Sequence, residues 1–163
     1  MNEATGTQER ERGASVRIPP PIIPVIGLVV GLALDAIASP FGAGPVGLVR
    51  WGGGVAFIAI GMGLLAAAAG LFRKTGQDPK PWEPAPELII VGIYRYTRNP
   101  MYVSFGVLQA GLGLLLGSAL PALLVPVSGW VIYLIAIRHE EDYLRGKFGA
   151  DYEAYLGKVR RWL

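Results

Sequence analysis

The chain has 163 residues, 52% hydrophobic and 17% charged, with a formal net charge of +3; it is too apolar and too unevenly patterned for an ordinary soluble domain and suits a membrane protein. Cysteine is absent and His139 is the single histidine, which excludes disulfides and a thiolate nucleophile and argues against a zinc site, so no metal is expected. The 15 Lys and Arg residues flank apolar runs without an arginine-rich tail or nucleic-acid signature, so lipid headgroups, and no nucleic acid, are the expected counterpart.

Residues 1–21 are mixed in charge and lack a convincing cleavage site, and read as a flexible cytosolic tail. A first apolar run, Ile22 to Ala38, with the span taken as residues 22–39, contains only Asp35, late enough to have a solvated or helix-end role. Gly42-Ala43-Gly44-Pro45-Val46-Gly47 spells GxGxxG, but it follows an apolar run instead of a strand and carries proline, so a turn between spans is expected. Trp51 to Phe72 has no charge and is long enough to cross roughly 30 Å of hydrocarbon. Small residues four apart, Ala59, Gly63 and Ala67 and again Ala66 and Gly70, predict a face for close helix packing.

The segment 73–99 is proline-rich up to Leu88 and then polar and aromatic, as an extended crossing along the membrane surface would be. From Met101 to Ile137 the only ionisable groups are tyrosine hydroxyls, and about 37 residues is too long for one span. Gly117-Ser118-Ala119-Leu120-Pro121 supplies a break, giving a tight hairpin of spans at 101–116 and 120–137. The expected fold is therefore all-α: a polytopic membrane protein with four transmembrane helices and a cytoplasmic C-terminal helical segment, residues 22–163 forming one membrane-embedded domain. With that topology Arg50 lies alone on one side and the other basic segments lie together, so both termini are expected to be cytoplasmic.

Two polar clusters then share one face. In Gly92-Ile93-Tyr94-Arg95-Tyr96-Thr97-Arg98-Asn99-Pro100-Met101-Tyr102, proline falls at a first helical turn, where its missing N–H costs little, and Arg95, Arg98 and Asn99 can converge at the positive helix end. Arg138-His139-Glu140-Glu141-Asp142-Tyr143 follows the last span, where a helix dipole disfavours acids and leaves them wanting a partner. That partner can be the flanking arginines, as an ion-pair lattice, or a bound zwitterion whose carboxylate meets arginine and whose ammonium meets glutamate. Arginines snorkelling to lipid phosphates beneath a belt of tyrosines is the plain alternative. Tyr152, Tyr155, Leu156 and Val159 form one face of a short helix restarting near Gly149, suited to the membrane interface, with Lys158, Arg160 and Arg161 outward.

Across roughly residues 84–161 the chain resembles the membrane-embedded isoprenylcysteine carboxyl methyltransferase and phospholipid methyltransferase group, on the residues GIYRYTRNPMY at 92–102, an uncharged hairpin, Glu140-Glu141, Leu144, Phe148-Gly149, Tyr152 and Tyr155. The resemblance implies an S-adenosylmethionine cofactor on the cytoplasmic side between segments 92–102 and 138–161, and a lipophilic or small membrane-accessible acceptor such as an isoprenylcysteine carboxylate, a phospholipid amine or a thiol. It implies cofactor contacts for Tyr94, Arg95, Arg98, Asn99, Pro100, Tyr102, Glu140 and Glu141. For catalysis, Arg98 is expected to position an acceptor carboxylate, and Glu141 or a tyrosine to assist proton removal where the acceptor is an amine. Relatives often carry a basic residue one turn before the double glutamate; here Ala136 and Ile137 stand there. A sterol-type membrane reductase using NADPH and a non-enzymatic membrane protein are the alternatives.

Overall fold

The computed structural model describes residues 13–38 and 45–163 and contains only helices, turns and irregular segments among them. α1 is Ile22–Ala38; α2, Gly54–Lys74, is led in by a π-helical turn at Val49–Gly53; and α3 is Pro100–Leu115 after a 3-10 turn at Gly92–Arg95. A short α4, Leu120–Leu123, precedes α5, Val125–Ile132; a π-helical turn at Tyr133–Ile137 leads into α6, Arg138–Phe148, and α7 is Ala150–Leu156. The chain divides into two compact units, one of Pro20–Ala66 and Met101–Ile132, the other of Met1–Pro19, Ala67–Pro100 and Tyr133–Leu163. The residues of the GxGxxG run before Pro45 lie outside the described residues.

The first unit is an apolar bundle held by close approaches at glycine. On α1, a methyl group at Gly27 would stand 2.5 Å from Ser128 Oγ and 2.8 Å from Gln109 Nε2, and one at Gly31 would stand 2.6 Å from the Pro121 nitrogen. On α2, Gly61 meets Leu108 and Gly54 meets Leu115. Such contacts let dispersion forces accumulate where no water is displaced, the usual basis of helix association in lipid. Val25, Val29, Phe57 and Ile60 are exposed apolar side chains of this unit, the composition expected of a surface that meets hydrocarbon.

The packing face of α2 differs from expectation. Ala59, Gly63, Ala66 and Ala67 are exposed, and a methyl group at Gly63 or Gly70 would touch nothing within 4 Å. Gly54, Gly61 and Ala68 are the buried small residues. Their seven-residue spacing stays on one helix stripe, and Ala59 and Gly63 fall roughly 200° away from Gly61 at about 100° per residue.

Chain reversals follow local chemistry. α2 ends in a Schellman arrangement: Gly76 has φ +68, its N–H donates to the Arg73 carbonyl at 3.3 Å, and the Gln77 N–H donates to the Phe72 carbonyl at 2.9 Å. Gly117, at φ +85, closes α3 in the same way, with Ser118 N–H donating to the Gly113 carbonyl at 2.9 Å. Arg50 Nε donates to the Leu115 carbonyl at 3.1 Å, so the lone cation of that loop caps a helix end.

Val49–Lys74, counting its π-helical turn, has 26 residues and is the one continuous helix among the described residues long and apolar enough by itself to cross a bilayer; Ile22–Ala38 and Pro100–Leu115 are shorter apolar helices. The expected span at 120–137 is a helix in pieces, interrupted at Leu124 and widened at Tyr133–Ile137. Pro121 and Pro126 lack the amide hydrogens a regular ladder needs, which accounts for the first interruption. Within the segment expected to be a tail, Gly13 and Ala14 donate backbone N–H groups to the Trp82 and Pro81 carbonyls at 3.2 and 2.7 Å, and Ala14 and Val16 are buried.

Candidate active site

The second unit holds a partly open cleft with a cavity volume of about 90 Å³. Its walls come from the end of α2 and its cap (Phe72, Gln77), the following loop (Leu88, Ile89), the segment with Tyr94, Arg98 and Asn99, and α6 and α7, which supply Glu140, Glu141, Tyr152 and Tyr155. Gly92 lets the chain enter this arrangement with φ +59, where an added methyl group would come 3.1 Å from Leu71 Cδ1. The Tyr94 ring then meets Phe72 edge-on with centroids 6.1 Å apart, and Tyr155 donates its hydroxyl hydrogen to the Tyr94 carbonyl at 2.7 Å.

The electrostatic centre is the Glu141 carboxylate, buried at 5% exposure. Arg161 grips it with two parallel bonds, Nε to Oε1 at 2.9 Å and Nη2 to Oε2 at 3.0 Å, while Arg98 and Arg145 approach to 3.5 and 3.9 Å. Arg161 lies over the Tyr133 ring at 4.7 Å, and its bound carboxylate raises its pKa above the ordinary value. Its backbone is equally engaged: the Arg161 carbonyl accepts from Asn99 Nδ2 at 2.9 Å and Thr97 Oγ1 at 3.2 Å, and the Arg160 carbonyl accepts from the Arg98 N–H at 3.0 Å. The end of the chain thus ties the arginine segment to the double-glutamate helix.

Five of the eight anticipated contact residues line this cleft: Tyr94, Arg98, Asn99, Glu140 and Glu141. Arg95 is exposed, Pro100 is buried at the first position of α3, and Tyr102 belongs to the bundle unit, where its ring meets Phe105 at 6.2 Å. Two expectations are corrected. Arg161 turns inward, because a buried carboxylate requires a charged partner, and Tyr152 and Tyr155 are buried inside the unit instead of facing an interface. The acids fall in the first turn of α6, which runs on to Phe148, so the C-terminal dipole penalty assigned to them disappears.

Arg161, Thr97 and Gln77 carry no mark in the sequence of the roles they take. Arg161 sits in a basic run that resembles a solvated face, and the one available signal was the unpaired Glu141. Burial raises the hydroxyl pKa values of Tyr94 and Tyr152 and pushes that of Tyr155 up to about 12, so all three stay protonated at neutral pH.

Arg98 and Gln77 each retain an enclosed polar atom without a hydrogen-bond partner, Nε in one case and Oε1 in the other. A cleft with a partly compensated guanidinium, a second carboxylate and aromatic walls offers chemistry that suits a small molecule carrying both an anionic group and a flat ring. The chain belongs to the family described as phospholipid methyltransferase, whose profile matches residues 49–151. It is 40% identical over 72 residues to the protein-S-isoprenylcysteine O-methyltransferase of Schizosaccharomyces pombe, covering 44% of this chain and 30% of that protein. Over 73 residues it is 30% identical to protein-S-isoprenylcysteine O-methyltransferase B of Arabidopsis thaliana, covering 45% and 37%. An uncharacterized protein of Haemophilus influenzae is 43% identical over 63 residues, 39% of this chain and 100% of that protein. The match thus spans about a third of the length of the two named methyltransferases.

Proposed function

We propose that the protein is an integral-membrane, S-adenosylmethionine-dependent methyltransferase whose acceptor is a lipophilic carboxylate of the isoprenylcysteine type. Its four apolar segments cross the bilayer, and the cleft and both termini face the cytoplasm. The observation that carries this reading is the pairing of family membership with a cleft in which Arg98 has an enclosed, unpartnered Nε beside Glu140 and Asn99. The residues fit the donor. Arg98 supplies cationic N–H groups for an amino-acid carboxylate, Glu140 supplies negative charge for the ammonium, and Phe72, Leu88 and Tyr94 supply apolar and aromatic surface for the ring.

When bound, the donor supplies an electrophilic methyl group: its carbon–sulfur bond breaks as a carbon–oxygen bond to the acceptor forms, and the sulfonium becomes a neutral thioether. The chain's own residues bind, orient and exclude water. Glu141 is a positioning group in this scheme, since both carboxylate oxygens already accept hydrogen bonds from Arg161. The protonated tyrosines offer no base at neutral pH. A carboxylate acceptor needs none, being nucleophilic when ionised, whereas an amine must first lose a proton. That contrast favours the carboxylate over a phospholipid amine.

The test is calorimetric titration of detergent-solubilised protein with S-adenosylhomocysteine and, separately, NADPH, followed by labelled methyl transfer to a prenylated cysteine. Binding of the first ligand, its severe weakening in Arg98→Ala, and base-labile ester product are expected. Binding of NADPH alone, or label confined to amine products, would overturn the assignment.

A further inference from the structure

The enclosed, unpartnered atoms Arg98 Nε and Gln77 Oε1 belong to residues lining the same cleft, and they differ in kind. The arginine nitrogen is a cationic donor and calls for an anion. The glutamine oxygen is a neutral acceptor and calls for an N–H group. A third such atom, Gln109 Oε1, lies in the bundle unit and has no share in this site.

The orientation of the Gln77 amide follows from its neighbours. Thr75 Oγ1 lies 3.2 and 3.1 Å from the Leu71 and Phe72 carbonyls, which accept its single hydrogen. Thr75 Oγ1 can therefore only accept from Gln77, whose Nε2 donates to it at 3.0 Å. That bond turns the NH₂ group toward Thr75 and leaves Oε1 as the free end. The backbone is fixed as well, because Gln77 closes the Schellman cap of α2. Gln77 is 7% exposed, so its carbonyl oxygen, held this way, has lost water without gaining a partner, a cost that a ligand N–H would relieve.

We propose that Gln77 reads the nucleobase of the methyl donor, its Oε1 accepting a hydrogen bond from the exocyclic amine of adenine; this rests on the donor assignment made above. A neutral amide matches a neutral amine. The donor's ammonium is better met by Glu140, since an amide cannot offset its charge. The cleft residues nearest Gln77 in the chain, Phe72 and Ala85, and also Leu88 and Ile89, offer the apolar setting a flat base requires.

The experiment measures calorimetric affinities of the wild-type protein for S-adenosylhomocysteine, its counterpart with unsubstituted purine, and its hypoxanthine counterpart, which presents a carbonyl where adenine has the amine. Wild-type protein is expected to prefer adenine over purine by about tenfold and to bind the hypoxanthine compound more weakly still. Gln77→Leu is expected to lose about tenfold for the adenine compound and to stay within about twofold for the purine compound. Equal wild-type affinities for adenine and purine, or equal loss of both in Gln77→Leu, would overturn the assignment while leaving the donor site standing. Absence of wild-type binding to all three would remove the donor site itself. The ligand series on unmodified protein decides the matter even where the variant does not fold.

Discussion

Replacing Glu141 with glutamine should be the most informative perturbation of the clasp, because it keeps the side chain's shape while removing the charge that Arg161, Arg98 and Arg145 share. The Glu141 side chain is 7% exposed, Arg98 12% and Arg161 34%. Breaking a fully buried pair costs about 3–5 kcal/mol; with Arg161 able to regain water over a third of its surface, about 2–3 kcal/mol is expected here. Arg161→Met should cost a similar amount, as the carboxylate is then left with more distant guanidinium groups at 3.5 and 3.9 Å. The double variant should be less damaged than the sum of the single ones, with a coupling of about 1–2 kcal/mol. Urea titration of detergent-solubilised protein, followed by tryptophan fluorescence, measures all four forms. Additivity within about 0.5 kcal/mol would refute the claim that the two residues act as one latch.

Other outcomes follow from the same geometry. Since burial holds the Tyr155 hydroxyl at about 12 against an ordinary value of 10.0, stability should be complete below pH 10 and fall as pH rises from about 10 to 12, because the unfolded chain releases its proton first. Urea midpoints across that range check the sign; Tyr155→Phe should lessen the fall, leaving the share of Tyr94 and Tyr152, and cost about 1 kcal/mol at neutral pH through the lost bond to the Tyr94 carbonyl. Gly31→Leu should destabilise by about 2 kcal/mol or more, with its first side-chain carbon 2.6 Å from the Pro121 nitrogen, whereas Gly63→Leu, with nothing within 4 Å, should leave the thermal midpoint almost unchanged. Arg95→Ala should retain donor affinity within about twofold, given its exposure outside the cleft, and Arg98→Ala should lose at least tenfold; calorimetry separates them.

Much of this architecture is legible in the sequence because it is written in strong local signals. Uncharged runs announce the helices, Pro100 opens one at the residue expected, and Gly117 and Gly149, both at positive φ, stop others. The meeting of Arg98 with Glu141 was also readable, since two polar clusters flanked one apolar hairpin. Direction escaped. Periodicity places Ala59 and Gly63 on one stripe of α2 but says nothing of which stripe a neighbour covers. Arg161 looks like any surface arginine until the buried carboxylate it answers is located, 20 residues earlier in the chain. Gln77 depends on a helix cap and a threonine hydroxyl, short-range geometry that composition does not record.

The π-helical turn at Tyr133–Ile137 has a consequence for how the site tolerates change. Such a turn accommodates one residue more than a regular helix would, and each residue rotates the downstream helix by about 100°. Ala136 and Ile137 are fully enclosed there, yet size-matched swaps would leave the count intact. Deleting one of the five residues would instead remove the extra residue and let the stretch close as a regular α-turn, so Glu141 would keep its bearing toward Arg98 and Arg161. This short stretch can thus shed a residue without re-aiming the carboxylate.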